Sequence, residues 1–441
     1  MSNNSSSLHK LQMHIALKII IAVIVTAVLG VSVVFNSQMN AALRITQSVE
    51  GGGGDGVLSA HFLDVGQGDC TILVFPDGKT MLIDMGDSGN MNTVDGGKKS
   101  IKDKIIGYID DNIAGGDQNF IFDYAMVTHT DADHCGNTVA VLQKYPAKII
   151  YRPNVIATNK GFIDPALAIT ADPEKDSNEK FWTLEAGLSA EAIISKIASK
   201  DTVTYKNAVE QMYKEFTREG VKYTPKVIVS DGRVGKQDFN GADSDGIKYY
   251  VNFYGPLSPR YLRGSTDEWN NCSNIMEVRY RDKKLFLMGD AEKEATEEFV
   301  IAYKDIVFDF DAIKLGHHGS RTSSSKEFLE MLASPAKRPS VMMVISCGIG
   351  NSYGHPHAET LGNLNDLGYD TAKNLQRTDL NGDIGFSIKD SGLTDGAEGL
   401  RLKVGGWGVE ELEWVEWWQL AVILWIGSLV VVFTVIKTKK A

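Results

Sequence analysis

The stretch His129-Thr130-Asp131-Ala132-Asp133-His134 places two imidazoles and two carboxylates within six consecutive residues. Directly before it, Phe122–Val127 reads as a short buried strand. A dense set of donor groups therefore hangs from the end of a strand. Metal sites need side chains that converge on a rigid support, and such a loop supplies one. His129 and Asp131 alternate onto one side, while Asp133 and His134 turn to the other, which suits two adjacent cations. An acidic surface loop that merely contains histidines is the competing reading. Further donors downstream argue against it: Asp290 follows the strand pattern Lys284–Met288, and His317-His318 follows Asp311–Leu315.

Working outward, short apolar strands interleave with helical stretches. Val57–Leu63, Cys70–Phe75 and Thr80–Ile83 read as strands, with Pro76-Asp77-Gly78 as a turn. Asp87–Gly96 reads as a polar loop, and Ser100–Ile109 as a helix. After the strand Ala147–Tyr151 the region from about 154 to 244 is less regular. It holds two expected helices, Ser189–Ala198 and Tyr205–Phe216, and reads as an insertion beside the core, a lid or a cap. Strands resume at Lys248–Tyr254, Ile275–Tyr280 and Lys284–Met288, then Val341–Ser346 and Ile384–Ile388, with helices at Ala291–Tyr303 and Ala358–Leu367. The class is α/β, with α+β on two sheets as the alternative, and no internal repeat is visible.

The chain has 441 residues, 45 Lys+Arg against 56 Asp+Glu, a net charge of -11 and 43% hydrophobic residues. This composition excludes global disorder and a disulfide-dense miniprotein. The acidic balance argues against a surface coated in basic charge for gripping nucleic acid, though not against a local basic groove. Lys98, Lys99, Lys102 and Lys104 read as a solvated helix face, with a phosphate-binding edge as the alternative. Cys135 and Cys272 read as small packing residues, a disulfide between them being the alternative.

Both ends carry apolar stretches. From Ile19 to Phe35, and from Trp417 to Ile436, there is no charged residue. With Ile15–Lys18 added, the first reaches the length of about 20 residues that spans a bilayer. A cleaved signal peptide is the competing reading there. Lys10 and Lys18 precede the first stretch, and Lys437, Lys439 and Lys440 follow the second. The positive-inside rule then puts both termini in the cytoplasm and the intervening domain outside. The expected organisation is a tail and anchor at 1–36, a Gly-rich linker at 37–56, the domain at 57–392, a linker at 393–416, and a second span with a basic tail at 417–441. The protein is thus expected to cross the cell membrane twice, with the lipid bilayer as a partner.

The His129–His134 loop resembles the HxHxDH signature of the metallo-β-lactamase superfamily, with Asp131 where the second histidine usually stands. Leu63-Asp64-Val65-Gly66-Gln67-Gly68-Asp69 resembles the LDVGQGD opening of the extracytoplasmic domain in the ComEC-type DNA-uptake proteins. Leu82-Ile83-Asp84-Met85-Gly86, Asn270-Asn271-Cys272-Ser273, Leu287-Met288-Gly289-Asp290, Leu315–Ser320 and Asn351–His357 resemble later elements of that family, in the same order. The likeness runs from about 57 to 388; the many-helix channel part of ComEC has no counterpart here.

The resemblance implies an αββα sandwich with two divalent metal ions, Mn²⁺ or Zn²⁺, at one edge of the paired sheets. By position it implies His129, Asp131, Asp133, His134 and Asp290 as ligands, with His318 favoured over His317 as the last histidine. It implies Asp133, Asp290 and His355 as catalytic groups, and Asn271, Ser273, Ser320, Tyr353 and His357 as substrate contacts. Asp84 would orient ligands from behind, and Asp64 and Asp69 carry the same reading beside a turn role. Ser320–Ser325 would open a helix able to receive an anion. Between His134 and His317 there is no histidine, so the superfamily's usual third histidine ligand is missing. The resulting oxygen-rich site favours harder ions such as Mn²⁺ or Mg²⁺ over Zn²⁺. The implied activity is hydrolysis of a phosphodiester such as DNA. A different phosphoester, a lactone, or a non-catalytic anchored module are the alternatives.

Overall fold

A computed structural model describes residues 56–89, 91–94, 97–153, 155–157, 203–214, 226–230, 239–257, 260–262, 269–389 and 392–395. Both expected membrane spans and the expected helix Ser189–Ala198 lie outside these residues. Among the described residues no helix is long and apolar enough to cross a membrane.

The strands that build the two large sheets are, in chain order, β1 (Leu58–Phe62), β2 (Thr71–Val74), β3 (Thr80–Ile83), β4 (Phe122–Met126), β5 (Ala147–Pro153), β6 (Lys226–Ser230), β7 (Phe239–Ala242), β8 (Lys248–Gly255), β9 (Ile275–Tyr280), β10 (Lys283–Leu287), β11 (Ala312–Lys314), β12 (Met342–Ile345), β13 (Leu375–Arg377), β14 (Ile384–Lys389) and β15 (Gly392–Asp395). One sheet runs β15-β14-β1-β2-β3-β4-β5-β6, the other β7-β8-β9-β10-β11-β12-β13. The period of two along a strand divides its side chains between layers. Met81 and Ile83 of β3 enter the core between the sheets, whereas Leu82 faces the outer helices. Aromatic stacks tie the sheets together: Phe75 lies on Tyr249 with centroids 4.7 Å apart, and Tyr124 on Phe239 at 4.1 Å.

Helices Ile101–Tyr108, Thr138–Lys144 and Val203–Lys214 cover the outer face of the first sheet through Ile101, Ile105, Val141, Leu142, Val209 and Met212. Lys293–Tyr303, Lys326–Leu332 and Ala358–Asp366 cover the second through Phe299, Phe328, Leu329 and Leu364. The layers are therefore α, β, β, α.

Each sheet repeats one plan that the sequence conceals. Three antiparallel strands (β1-β2-β3, and β8-β9-β10) are followed by parallel ones (β4, β5, β6, and β11, β12, β13). Parallel pairing needs a crossover, and each of these six strands is entered through one of the six helices. All parallel strands of a half then point their carboxyl ends the same way. The loops after β3, β4, β10, β11 and β12 emerge together at the seam of the two halves.

Several expectations are corrected here. Asp87–Gly96 is not all loop, since Met91–Val94 pairs with Gly97–Ser100 as a hairpin. The described parts of 154–244 are not a cap: Val203–Lys214 enters the core and β6 extends the sheet beside β5. Residues 393–395, expected to open a linker, belong to β15, which pairs with β14. Ser320–Ser325 does not open a helix directly; two 3₁₀ turns come first, and Ser325 caps the short helix Lys326–Leu332. Lys104 leaves the solvated face and pairs with Asp383 at 2.7 Å in a buried contact. Cys135 and Cys272 are separate, buried free thiols.

One buried histidine makes the fold acid-sensitive. His61 on β1 lies between Ser59 Oγ (3.0 Å) and the Tyr108 hydroxyl (2.8 Å). Burial lowers its pKa from 6.5 to about 4. The unfolded chain then binds one more proton than the folded chain between pH 6.5 and 4, so stability falls as pH drops through that window. The loss should approach roughly 3 kcal/mol, at about 1.4 kcal/mol per pH unit. Denaturant unfolding of wild type and His61→Gln at pH 7.5 and 4.5 checks this; the variant should show the shallower acid loss.

Candidate metal centre

The loop after β4 is strapped down by two other loops of the first half. The Asp69 amide donates to the Asp133 carbonyl (3.2 Å), the Met85 amide to the His134 carbonyl (2.7 Å), and the Gly86 amide to the Asp69 carbonyl (2.9 Å). Gly68 explains itself here: at φ 146° it passes so close that a Cβ would lie 2.5 Å from the Asp133 carbonyl oxygen. Asp84, in a left-handed conformation at φ 58°, accepts from the Thr128 amide (2.8 Å), the Thr128 hydroxyl (2.7 Å) and His134 Nδ1 (2.7 Å). That triple bond set fixes the His134 ring and turns Nε2 toward the seam. Carboxylate–imidazole pairs of this kind orient metal-binding histidines.

The second half supplies the facing groups. The Asp290 amide donates to Ser273 Oγ (2.9 Å), and its carboxylate reaches both halves: Oδ1 lies 3.2 Å from His134 Nε2, Oδ2 3.2 Å from His318 Nε2. His318 Nδ1 donates to the Ser346 carbonyl at 2.9 Å, and its Nε2 is also 3.2 Å from Asp133 Oδ2. His317 and His318 are consecutive left-handed residues, with φ 47° and 53°. Such backbone is costly for residues with a Cβ and clusters at functional sites. Its effect is to aim both rings at one carboxylate. His317 Nε2 stands 3.9 Å from Asp290 Oδ2, and its Nδ1 is held by Glu292 at 2.7 Å.

Asp133, His134, Asp290 and His318 bring four donor atoms within 4.8 Å of one another; His129, Asp131 and Asp133 form a second such group. His134 Nε2 and Asp290 Oδ1 face each other at 3.2 Å, while His129 Nε2 and Asp131 Oδ1 are buried without a hydrogen-bond partner among the described residues. Buried polar atoms left this way are costly unless something binds them. The donor set fits divalent cations, and its oxygen share fits hard ones.

The charges of the cluster hold one another in place. Burial disfavours charge on His318, yet Asp290 and Asp133 outweigh it and push its pKa up to about 10. Burial likewise opposes charge on His134, but Asp290, Asp84 and Asp69 raise it well above the usual range. Burial would raise Asp133, but the His318 hydrogen bond and the His134 charge bring it down to about 2. Asp131 lacks such a partner; burial and the Asp133 charge push it up to about 7. His129 is held well below its ordinary value by burial and by His134.

Above the cluster opens a cavity of about 830 Å³ lined by Asp131, Asp133, Asp290, Glu292, His317, His318 and, farther out, Gln67, Asn270, Arg321, Tyr353, His355 and His357. His355 is lowered to about 4 by burial and the neighbouring His318 and His317, so it faces the cavity neutral at pH 7. It is within 3.3 Å of Gln67 Nε2. His357 accepts from the Arg321 amide (3.1 Å) and lies 3.3 Å from the Arg321 guanidinium. Tyr353 stands two-thirds exposed at the rim.

Three expected substrate contacts do not line this cavity. Asn271 Oδ1 caps the helix below by accepting from the Ala295 amide, Ser273 Oγ holds Asp290, and Ser320 Oγ accepts from the Thr322 amide. Asp64 is a turn residue, its Oδ1 accepting from the Gly66 amide at 3.2 Å. Asn270 and Arg321, expected near the site, do line the cavity; sequence reasoning missed Gln67 and Glu292. Gln67 sits inside a motif already singled out, and Glu292 follows Asp290 by two residues. Nothing local marks them as facing a site.

No protein-family model matches the chain. It is 33% identical over 120 residues to ComE operon protein 3 of Bacillus subtilis, covering 27% of this chain and 14% of that protein. It is 26% identical over 282 residues to competence protein ComA of Neisseria gonorrhoeae, covering 58% of this chain and 38% of that one. The chain thus spans well under half the length of both curated relatives. Among solved structures, it is similar to the metallo-beta-lactamase fold protein YhfI from Bacillus subtilis (TM-score 0.33, 8% identity, 74% of this chain and 98% of that one). It is also similar to a diphosphatase of the PhnP family (TM-score 0.31, 11% identity, 75% and 98%). The described domain is a sandwich of two mixed sheets, and two competence proteins are similar to it in sequence.

Because His134 and His318 carry protons at pH 7 before any cation enters, loading must expel them, and affinity should climb with pH toward about 10. Calorimetric titration of Mn²⁺ into the full chain, in buffers of different ionisation enthalpy, should show net proton release. A buffer-independent heat would contradict this.

Proposed function

We propose that this chain is a metal-dependent phosphodiester hydrolase, held at a membrane by its two apolar ends with the sandwich outside the cytoplasm. The observation that carries the reading is the convergence, from both halves, of imidazole and carboxylate atoms within 4.8 Å of one another.

Asp133, His134, Asp290 and His318 would hold one divalent ion, and His129, Asp131 and Asp133 a second, with His317 turned toward Asp290 beside it. When bound, such ions lower the pKa of water and neutralise phosphate charge. The chain's own residues supply the rest. Asp133, open to the cavity on one side, is placed to orient an attacking water by accepting a hydrogen bond from it. Asp84, Ser273, Ser346 and Glu292 keep the ligand side chains from turning away. Arg321 and His357, on the same wall, are placed to bind non-bridging phosphate oxygens, and neutral His355 donates a hydrogen bond rather than a charge. The cavity lining is strongly acidic, so a phosphodiester is repelled until cations are in place.

The ComEC likeness favours a nucleic-acid substrate. The acidic lining and the net charge of -11 favour a smaller phosphoester instead. Salt separates these readings, because nucleic-acid binding weakens steeply as salt rises.

The full chain with Mn²⁺ should cleave a phosphodiester in a screen of single- and double-stranded DNA, RNA and bis(4-nitrophenyl) phosphate. Chelation should abolish the activity, and Asp290→Ala or Asp133→Ala should cut kcat/KM by about 10²–10³-fold. Absence of cleavage across that panel with Mn²⁺, Mg²⁺ and Zn²⁺ would overturn the proposal.

A further inference from the structure

Beneath the candidate metal centre, on the side away from the cavity, lies a buried ion pair with no part in the chemistry above. Lys314, the last residue of β11, is 3% exposed and its ammonium group contacts the carboxylate of Asp69, itself 2% exposed. The two residues come from opposite halves of the sandwich. Asp69 also lies under two of the imidazoles that face Asp290: its Oδ1 is 3.6 Å from His318 Nδ1, and its Oδ2 is 3.9 Å from His134 Nδ1. Asp84 completes the layer, and Asp69, Asp84, Thr128, Asn274 and Lys314 line a gap of about 10 Å³. That is room for about one water.

Stability does not account for this pair. A buried ion pair is expensive to desolvate, and apolar residues of similar volume often serve the fold equally well. Its position does account for it. A carboxylate 3.6 and 3.9 Å beneath the Nδ1 edges of two imidazoles packs behind both rings and limits their rotation. Unanchored, that carboxylate would be a buried charge free to turn toward either ring. Lys314 anchors it from the other half, so one contact backs both rings, whose own Nδ1 hydrogen bonds go to Asp84 and to the Ser346 carbonyl.

Resting on the metal-centre reading, we infer that Lys314 is a positioning residue: through Asp69 it holds His134 and His318 in register for a divalent ion. The pair serves the cation site rather than the fold. Three proteins separate these roles: the wild-type full chain, Lys314→Met, and the neutral double variant Asp69→Asn with Lys314→Met. Mn²⁺ and Zn²⁺ affinity is read by calorimetry, bound metal by elemental analysis, and folding by thermal unfolding without metal. Lys314→Met should lower both Tm and metal affinity, because it strands a buried carboxylate. The double variant should recover Tm to near the wild-type value while metal affinity stays about 10–100-fold weak. Recovery of affinity along with Tm would make the pair merely structural and overturn the inference, as would a double variant that does not fold. Unchanged affinity in Lys314→Met overturns the inference alone. A wild-type chain that binds neither metal overturns the metal-centre reading itself, and this inference with it.

Discussion

Asp290 is the point at which the two halves of the sandwich meet chemically. Its carboxylate faces His134 from the first half and His318 from its own. Burying that many ionisable groups would be prohibitive one at a time. It becomes tolerable because Asp290, Asp133 and Asp84 each have an imidazole within reach, and His134, His317 and His318 each a carboxylate. Asp84, Asp69, Asp133 and Glu292 extend the same alternation outward. The arrangement is specific in three dimensions, since moving either half by an ångström would leave buried charges unmatched.

The fold supplies the registration this requires. Parallel strands in each half deliver their loops to one end, and the apolar layer between the sheets fixes how those ends face each other. Stacked rings such as Phe75 on Tyr249 cross that layer, so the seam is anchored by dispersion and area burial below and by charge above. The left-handed backbone at Asp84, His317 and His318 is sustained by this surrounding framework. Locally it is unfavourable, and only the contacts made by the resulting side-chain directions offset it.

The acidic character of the cavity bears on what it can accept. Asp131, Asp133, Asp290 and Glu292 converge on its floor while Arg321 stands on the wall. That lining suits a cation better than an anion.

Much was legible in the primary structure. Strand positions such as β3 and β9 follow from apolar runs bounded by turn residues, because a buried strand leaves a local signature. The loop His129–His134 announced donor chemistry because imidazoles and carboxylates so dense have few other uses. Asp84 stands at a strand end, where its contact with His134 is one of the two readings open to it. What the chain order could not reveal depends on contacts between residues far apart in it. The twofold plan of the sheets has no echo in side-chain identity, since burial constrains polarity and size rather than residue type. Lys314 reads as an ordinary strand lysine until the packing of β11 brings it to Asp69, 245 residues away in sequence. Ser273 and Asn271 looked like substrate contacts, yet the direction of their side chains, set by neighbouring backbone amides, makes them supports. The identity of the donors was written locally; their convergence is a property of the packed sheets, because side-chain direction is fixed only when both faces of a strand are buried.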